Sequence, residues 1–356
     1  MARKNDIFAI IEGLGDNQVY NGTGAPDTIT TTFNNNTLNG GGGGDTIITT
    51  ITDRLDDLFV YQNGEGGSDI MSATVNAGAR YLGSVLDGGI GNDQITTNTT
   101  LGNRFFDTLL ESYAVGGDGN DTINMTAALN GGGNLWQEAY AGTGSDTITM
   151  NASTTGGAGT IAYNYVEAGT GADTVTATAE GTNGAFVYNE IYGGTGTNGI
   201  LAGTDDTLTG IVIGNGASYI YGQSGNDVLR ATGGNENELY GQAGNDTLYG
   251  STGVDYFTGG AGVDTFVLGS GGVDIITDFD TGLLGTFVGA DILAFEPGTN
   301  LNLVDVQIGG DGLLEITVAG NTVVQLAGLD TDLLGQLEGL LDFLGIGGSP
   351  VTGEVG

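Results

Sequence analysis

A glycine turn that ends in aspartate and is followed two places on by an apolar residue recurs along most of this chain, and its repetition leaves few folds open. Clean copies read Gly88-Gly89-Ile90-Gly91-Asn92-Asp93-Gln94-Ile95 and Gly116-Gly117-Asp118-Gly119-Asn120-Asp121-Thr122-Ile123. Further copies start at Gly222, Gly241 and Gly259 and carry Asp227, Asp246 and Asp264. Glycine reaches positive φ at no steric cost, so such turns are tight and leave backbone carbonyls uncovered. The aspartate adds a hard anionic oxygen, and the apolar residue begins a short inward-facing strand. Calcium takes about six to eight oxygen ligands, which stacked turns can supply. A single copy is a weak glycine-rich match, and the repetition is what makes the pattern a calcium-site signature.

These residues carry a family resemblance. The motif is similar to the nonapeptide of RTX (repeats-in-toxin) proteins, from about Gly22 to Leu326. The resemblance implies an all-β fold, a right-handed parallel β-solenoid (the RTX β-roll) wound around columns of Ca2+. It implies as ligands the motif aspartates Asp45, Asp69, Asp93, Asp121, Asp146, Asp173, Asp227, Asp246, Asp255, Asp264 and Asp274. Backbone carbonyls of Gly89, Gly91, Gly117, Gly119, Gly142, Gly144, Gly169, Gly171, Gly244 and Gly262 complete the set. Each ion is expected between turns of successive coils on one edge, pairing Asp93 with Asp121, Asp146 with Asp173 and Asp246 with Asp264. The resemblance also implies type I secretion by an uncleaved C-terminal signal, and an extracellular or cell-surface location in a bacterium.

Spacing divides the chain. Residues 1–21 read as an N-terminal segment whose Ile7–Ile11 could pair with a neighbouring copy. Over 22–221 the turns fall near Gly40, Gly64, Gly88, Gly116, Ala141, Ala168 and Gly193, which gives one calcium-type turn per coil and a variable turn on the other edge. Phe33–Thr37, Leu129–Asn134 and Ser153–Gly159 are candidates for that second edge. Ala25-Pro26 adds a residue to the turn of Asp27, which sets it apart from the clean copies. After Gly193 an asparagine, Asn198, replaces the acid and an insertion runs to Asp206, so a weakened site is expected there. Over 222–280 the aspartates fall about one nonapeptide apart, with turns on both edges and Asn237 in an aspartate's place. Residues 281–330 read as a β cap and 331–356 as an amphipathic helix and tail, with Leu333, Leu337, Leu340 and Leu344 on one stripe.

Strand side chains alternate between faces. Asp146-Thr147-Ile148-Thr149 and Asp173-Thr174-Val175-Thr176 therefore put Ile and Val inward and Thr outward. Before the turns, Tyr165, Tyr192, Tyr221 and Tyr240 have the parity opposite to Val166, Ile191, Ile220 and Leu239. The expectation is a threonine ladder on one sheet and a tyrosine ladder on the other.

A formal charge of −37, with no histidine or cysteine, argues against nucleic acid and anionic membranes as partners. It also makes the metal-free chain self-repelling, while 71 glycines raise the entropy cost of ordering it. Folding is expected to need calcium. No run approaches the length of a membrane span. Without histidine there is no His-Glu-x-x-His zinc site and no histidine base for a serine hydrolase, and no cysteine nucleophile exists, so catalysis is not expected. The leading expectation is a secreted structural protein that assembles with itself into a filament or surface layer. The alternative is an adhesin that contacts cell-surface glycans through the tyrosine ladder. Ice binding is disfavoured, because motif positions such as Ile90 and Asp118 break any regular polar array.

Overall fold

The computed structural model describes residues 10–12, 16–52, 57–102, 108–194, 203–268, 272–280, 291–295, 304–308, 314–318 and 321–326. Successive strands alternate between two sheets that face each other across one core. The first sheet begins with β1 (Ile10–Glu12) and β3 (Thr28–Thr31) and takes every second strand up to β25 (Ile292–Phe295), 13 in all. The second has 15 strands. It begins with β2 (Val19–Asn21) and β4 (Asn36–Gly42) and reaches β24 (Asp274–Ile276) in the same way. There it continues into β28 (Asn321–Leu326), β27 (Leu314–Val318) and β26 (Val304–Ile308). Pairing is parallel along the coils, and the last three strands turn antiparallel. This is an all-β parallel solenoid, and no helix occurs among the described residues. The expected C-terminal helix lies outside them.

Apolar side chains stack in register from coil to coil. In the first sheet Ile95, Ile123, Ile148 and Val175 pair in sequence, each fully or almost fully buried. In the second, Ala139, Val166, Ile191, Ile220 and Leu239 do the same. Removing a large aliphatic side chain from water is worth ~1.5–3 kcal/mol, so a one-residue slip, which would turn every column outward, is heavily disfavoured.

The outward rows follow the expected parity. Thr122, Thr147, Thr174 and Thr207 align on the first sheet, hereafter the threonine sheet. On the second, the tyrosine sheet, Tyr192, Tyr221 and Tyr240 stack face to face, with ring planes within 6° and centroids 4.7 and 4.9 Å apart. Ile10 and Ile11, in the segment expected to pair with a neighbouring copy, pair along one edge with Thr28 and Ile29 of their own chain.

Candidate metal centre

Every described coil brings one aspartate to the same place on the same edge. The backbone N–H of Asp93 donates to Oδ1 of Asp121 at 2.7 Å, that of Asp121 to Asp146 at 2.7 Å, and that of Asp146 to Asp173 at 2.8 Å. The chain of bonds starts at Asp27 and passes through Asp45, Asp69 and on to Asp206, Asp227, Asp246, Asp264 and Asp291. Sequence separations along it run from 18 to 33 residues, yet the geometry repeats. The aspartates hold the register whatever the length of the coil, even in the longest step, whose extra residues fall between Gly194 and Asp206.

One carboxylate oxygen per turn is thereby satisfied and the other is not. The Oδ2 atoms of Asp45, Asp69, Asp93, Asp121, Asp146, Asp173, Asp206, Asp227, Asp246 and Asp264 are buried without a hydrogen-bond partner. At the two ends of the column the peptide closes the account: Oδ2 of Asp27 accepts from the Thr23 N–H, and Oδ2 of Asp291 from the Asp280 N–H at 2.7 Å. A buried anionic oxygen without a donor is costly, and proteins relieve it by protonation or by a cation. Burial pushes the carboxyls of Asp69 and Asp121 up to about 6, Asp173 to about 7 and Asp227 to about 8, with neighbouring aspartates adding to the rise.

Glycine is required beside these oxygens for a reason specific to the winding. Gly91, Gly119, Gly144 and Gly171 have φ of 145°, 139°, 130° and 133°. A Cβ on any of them would coincide with the carbonyl oxygen of the corresponding glycine one coil earlier. The carbonyls of the turn are thus uncovered and stacked along the same edge as the aspartates. The neighbouring left-handed position is less strict, since Glu65, Gln223 and Gln242 adopt it at φ of 70° to 77°. Among the described residues no three carboxylates converge. A cation here would be held by single aspartates and backbone oxygens, which is the hard, all-oxygen donor set that suits calcium.

The structure places Asp45, Asp69, Asp93, Asp121, Asp146, Asp173, Asp227, Asp246 and Asp264 in one column, with their expected glycines. Asp255 and Asp274 stand elsewhere. They pair with each other and with Asn237 across the tyrosine sheet, at the opposite edge. Asn237 Nδ2 donates to Asp255 Oδ1 at 2.6 Å, so the asparagine does take an aspartate's place there. Both oxygens of Asp274 are buried without a partner, and burial pushes its carboxyl up to about 9.

Asp27 joins the column despite the residue that Ala25-Pro26 adds to its turn, its backbone N–H donating to Asp45 Oδ1 at 2.7 Å. One expectation about the column is corrected. The acid after Gly193 is not lost: Asp206 fills the position between Asp173 and Asp227, each bond being 2.8 Å. Asp206 and Asp291 were legible, since Asp206-Thr207-Leu208-Thr209 and Asp291-Ile292-Leu293 repeat the local pattern. The motif search missed them because the residues ahead of them depart from the glycine spacing. A buried polar row was also missed. Ser84, Ser112, Gln137, Asn164, Asn189 and Ser218 sit inside the solenoid, fully buried, each four residues before the turn.

Comparison with known protein families agrees with this geometry. The pattern described as RTX calcium-binding nonapeptide repeat (4 copies) matches residues 12–49, 113–124, 214–236, 233–266 and 240–276. These repeats and the parallel β-solenoid together fit an RTX β-roll protein. RTX nonapeptide repeats bind multiple Ca2+ ions, and the unpartnered Oδ2 atoms fit that chemistry. The stretches between the matched segments hold the longer coils, where the same aspartate column continues without the compact repeat. Among the described residues no catalytic domain is evident. No helix among the described residues is long and apolar enough to cross a membrane. RTX repeat proteins are typically type I-secreted and extracellular. No curated protein matches the chain.

Proposed function

We propose that this RTX β-roll is a secreted structural protein that folds on calcium and assembles end to end into an extracellular filament or surface layer. Calcium is held between successive turns by Oδ2 of Asp45, Asp69, Asp93, Asp121, Asp146, Asp173, Asp206, Asp227, Asp246 and Asp264, together with turn carbonyls. Asp255 and Asp274 supply a short second column at the opposite edge. The observation that carries the assembly reading is the form of the solenoid's ends. The threonine sheet finishes in β1 at one end and β25 at the other, and among the described residues neither outer edge has a partner strand. Unpaired parallel edges of this kind are templates for another chain, and head-to-tail pairing does not close. A glycan-binding role for the tyrosine ladder is less favoured by the ring geometry. Tyr192, Tyr221 and Tyr240 spend their faces on one another, and the hydroxyls of Tyr192 and Tyr240 donate to Glu190 and Glu238.

Negative-stain electron microscopy of the purified protein in millimolar calcium, and again with chelator, tests the proposal. Filaments or sheets that disperse with chelator are expected. Compact single particles in calcium would overturn self-assembly and bring the glycan-binding adhesin forward.

A further inference from the structure

Glutamates are distributed unequally between the two sheets. Between residues 58 and 261, Glu65, Glu111, Glu138, Glu167, Glu190, Glu236 and Glu238 all lie on strands of the tyrosine sheet, and only Glu180 lies on the threonine sheet. Over three of these strands, β12 (Gly133–Thr143), β14 (Ile161–Thr170) and β16 (Phe186–Gly194), acids and phenols alternate in two dimensions. Tyr140, Glu167 and Tyr192 pair in one row, and Glu138, Tyr165 and Glu190 in the next. The Tyr165 ring lies 5.7 Å from those of Tyr140 and Tyr192. Tyr140 donates to Glu138 at 2.8 Å and Tyr192 to Glu190 at 2.6 Å, which fixes the carboxylates in place. Burial, then the hydrogen bond to Glu190, raises the Tyr192 phenol, so it stays a donor. Glu167 is exposed and accepts no hydrogen bond from a described residue. It borders an open groove of about 300 Å3, with Tyr140, Gln223 and the turn glycines on its other sides. Beside the checkerboard stand Trp136 and Phe186, 41% and 42% exposed.

Nothing in the local sequence neutralises this face, since no Lys or Arg occurs between Arg104 and Arg230. Fixed carboxylates next to aromatic rings suit a cation that carries apolar surface, above all a guanidinium. The chain shows that pairing once itself, where the Arg230 guanidinium lies 3.8 Å above the Tyr249 ring. A second copy is a poor occupant, because a chain with 6 basic and 43 acidic residues would bring like charge to the face. We infer that the outer face of the tyrosine sheet around Glu138, Tyr165, Glu167 and Glu190 is a docking surface for an arginine- or lysine-rich segment of another polypeptide. The alternating rows run along the solenoid axis at the strand spacing of about 4.8 Å, so an extended basic segment can meet several carboxylates in succession. This inference stands apart from end-to-end assembly, which uses the strand edges and leaves the face free.

Trp136, the single tryptophan, is a built-in reporter on this face. The experiment titrates the calcium-loaded full chain with deca-arginine at moderate salt and follows Trp136 emission. A saturable change is expected. The variant Glu138→Gln/Glu167→Gln/Glu190→Gln, which keeps the acceptors for the tyrosine hydroxyls, should bind about tenfold more weakly or worse, in line with several partly exposed charge pairs acting together. Glu167→Gln alone should weaken binding and Glu180→Gln, on the other sheet, should not. Circular dichroism in calcium checks that each variant is folded. Equal loss in Glu167→Gln and Glu180→Gln would mean general attraction to an acidic chain and would overturn the site. An unchanged Trp136 signal would overturn it too, as would a neutral chitohexaose that gives the same signal and keeps its affinity in the triple variant.

Discussion

On the turn edge each coil buries a carboxylate; near the opposite edge of the same core it buries an amide or a hydroxyl. The difference lies in the charge of what is left without a partner. Gln137, Asn164 and Asn189 send their amide N–H groups across the core to the carbonyls of Asn151, Thr178 and Ile211, at 2.8 to 2.9 Å. Asn164 also donates to Asn189 Oδ1 at 2.9 Å. That row draws its N–H bonds from the chain itself, and the oxygens it leaves without a partner, Gln137 Oε1 and Asn164 Oδ1, are neutral. The aspartate column draws one bond per residue from the chain and leaves an anionic oxygen over. A neutral row can stand without a counter-ion, and the anionic one is built to be completed by a cation.

Removing calcium should therefore produce the largest effect. At neutral pH, chelator should unfold the solenoid as a whole, seen as loss of the strand signal in circular dichroism and restored by added calcium. A folded, unaltered spectrum in chelator would show that the column is stable as bare carboxylates. Acid should partly replace the metal. The carboxyls of Asp121, Asp173 and Asp227 sit near 6, 7 and 8 in the folded chain against an ordinary 3.8, so protonation favours the fold. That contribution is fully present below about pH 3.8 and is lost as pH rises through about 6 to 8. The metal-free chain should accordingly gain order as pH falls from 8 towards 4, while calcium affinity declines through the same window. A metal-free chain that is least ordered in acid would reverse this sign.

The next effect is local to one turn. Gly67 has φ of 132°, and a Cβ there would strike the Gly43 carbonyl, whereas a Cβ on the adjacent Gly66 meets nothing within 4 Å. Gly67→Ala should cost about 3 kcal/mol or more, from strained backbone and forced separation of the coils. Gly66→Ala should be close to neutral. Thermal unfolding in saturating calcium compares them, and similar losses would mean that the turns are loose enough to part.

Legibility in the sequence follows the same divide. Strand alternation, the tyrosine and threonine rows, and the run of aspartates from Asp45 to Asp173 could all be read from residues, because each is set by local backbone geometry at a fixed offset from a glycine turn. Asp206 could not be placed by counting, because its coil is 33 residues long and the offset is lost in the insertion. Ser112, Gln137, Asn164 and Asn189 share an offset too, four before the turn, but differ in size and chemistry, so nothing local marks them as a row. Their common role appears only when the coils are stacked. The alternation of Glu and Tyr over β12, β14 and β16 is hidden for the same reason, since it is a pattern across strands and not along them.

Asp121→Asn separates the two demands made on a column residue. The amide keeps an acceptor for the Asp93 N–H, now made to Oδ1 at 2.7 Å, and removes the buried charge. Without calcium the variant should be more stable than the parent, by about 1–2 kcal/mol, because an uncompensated ion has gone. With calcium it should be less stable, since an anionic ligand is missing. The crossing is measured by unfolding both proteins over a calcium series, and a variant weaker at every concentration would mean that Oδ2 does not face a cation.

The smallest change in calcium dependence is expected on the amide row, where the effect should not cross. Asn164→Ala removes the bonds to Thr178 O and to Asn189 and leaves the Thr178 carbonyl without this donor inside the core. A buried polar group stripped of its partner costs about 1–3 kcal/mol. Because Asn164 is uncharged and lies within the solenoid, away from the turn edge, that loss should be the same at saturating calcium and at concentrations barely sufficient to fold. Calcium titrations monitored by circular dichroism should give parallel curves for the variant and the parent after allowing for the lower stability. A change in the steepness of the calcium dependence would mean that the two edges are coupled, and that the amide row helps to hold the turns at the spacing the ions require.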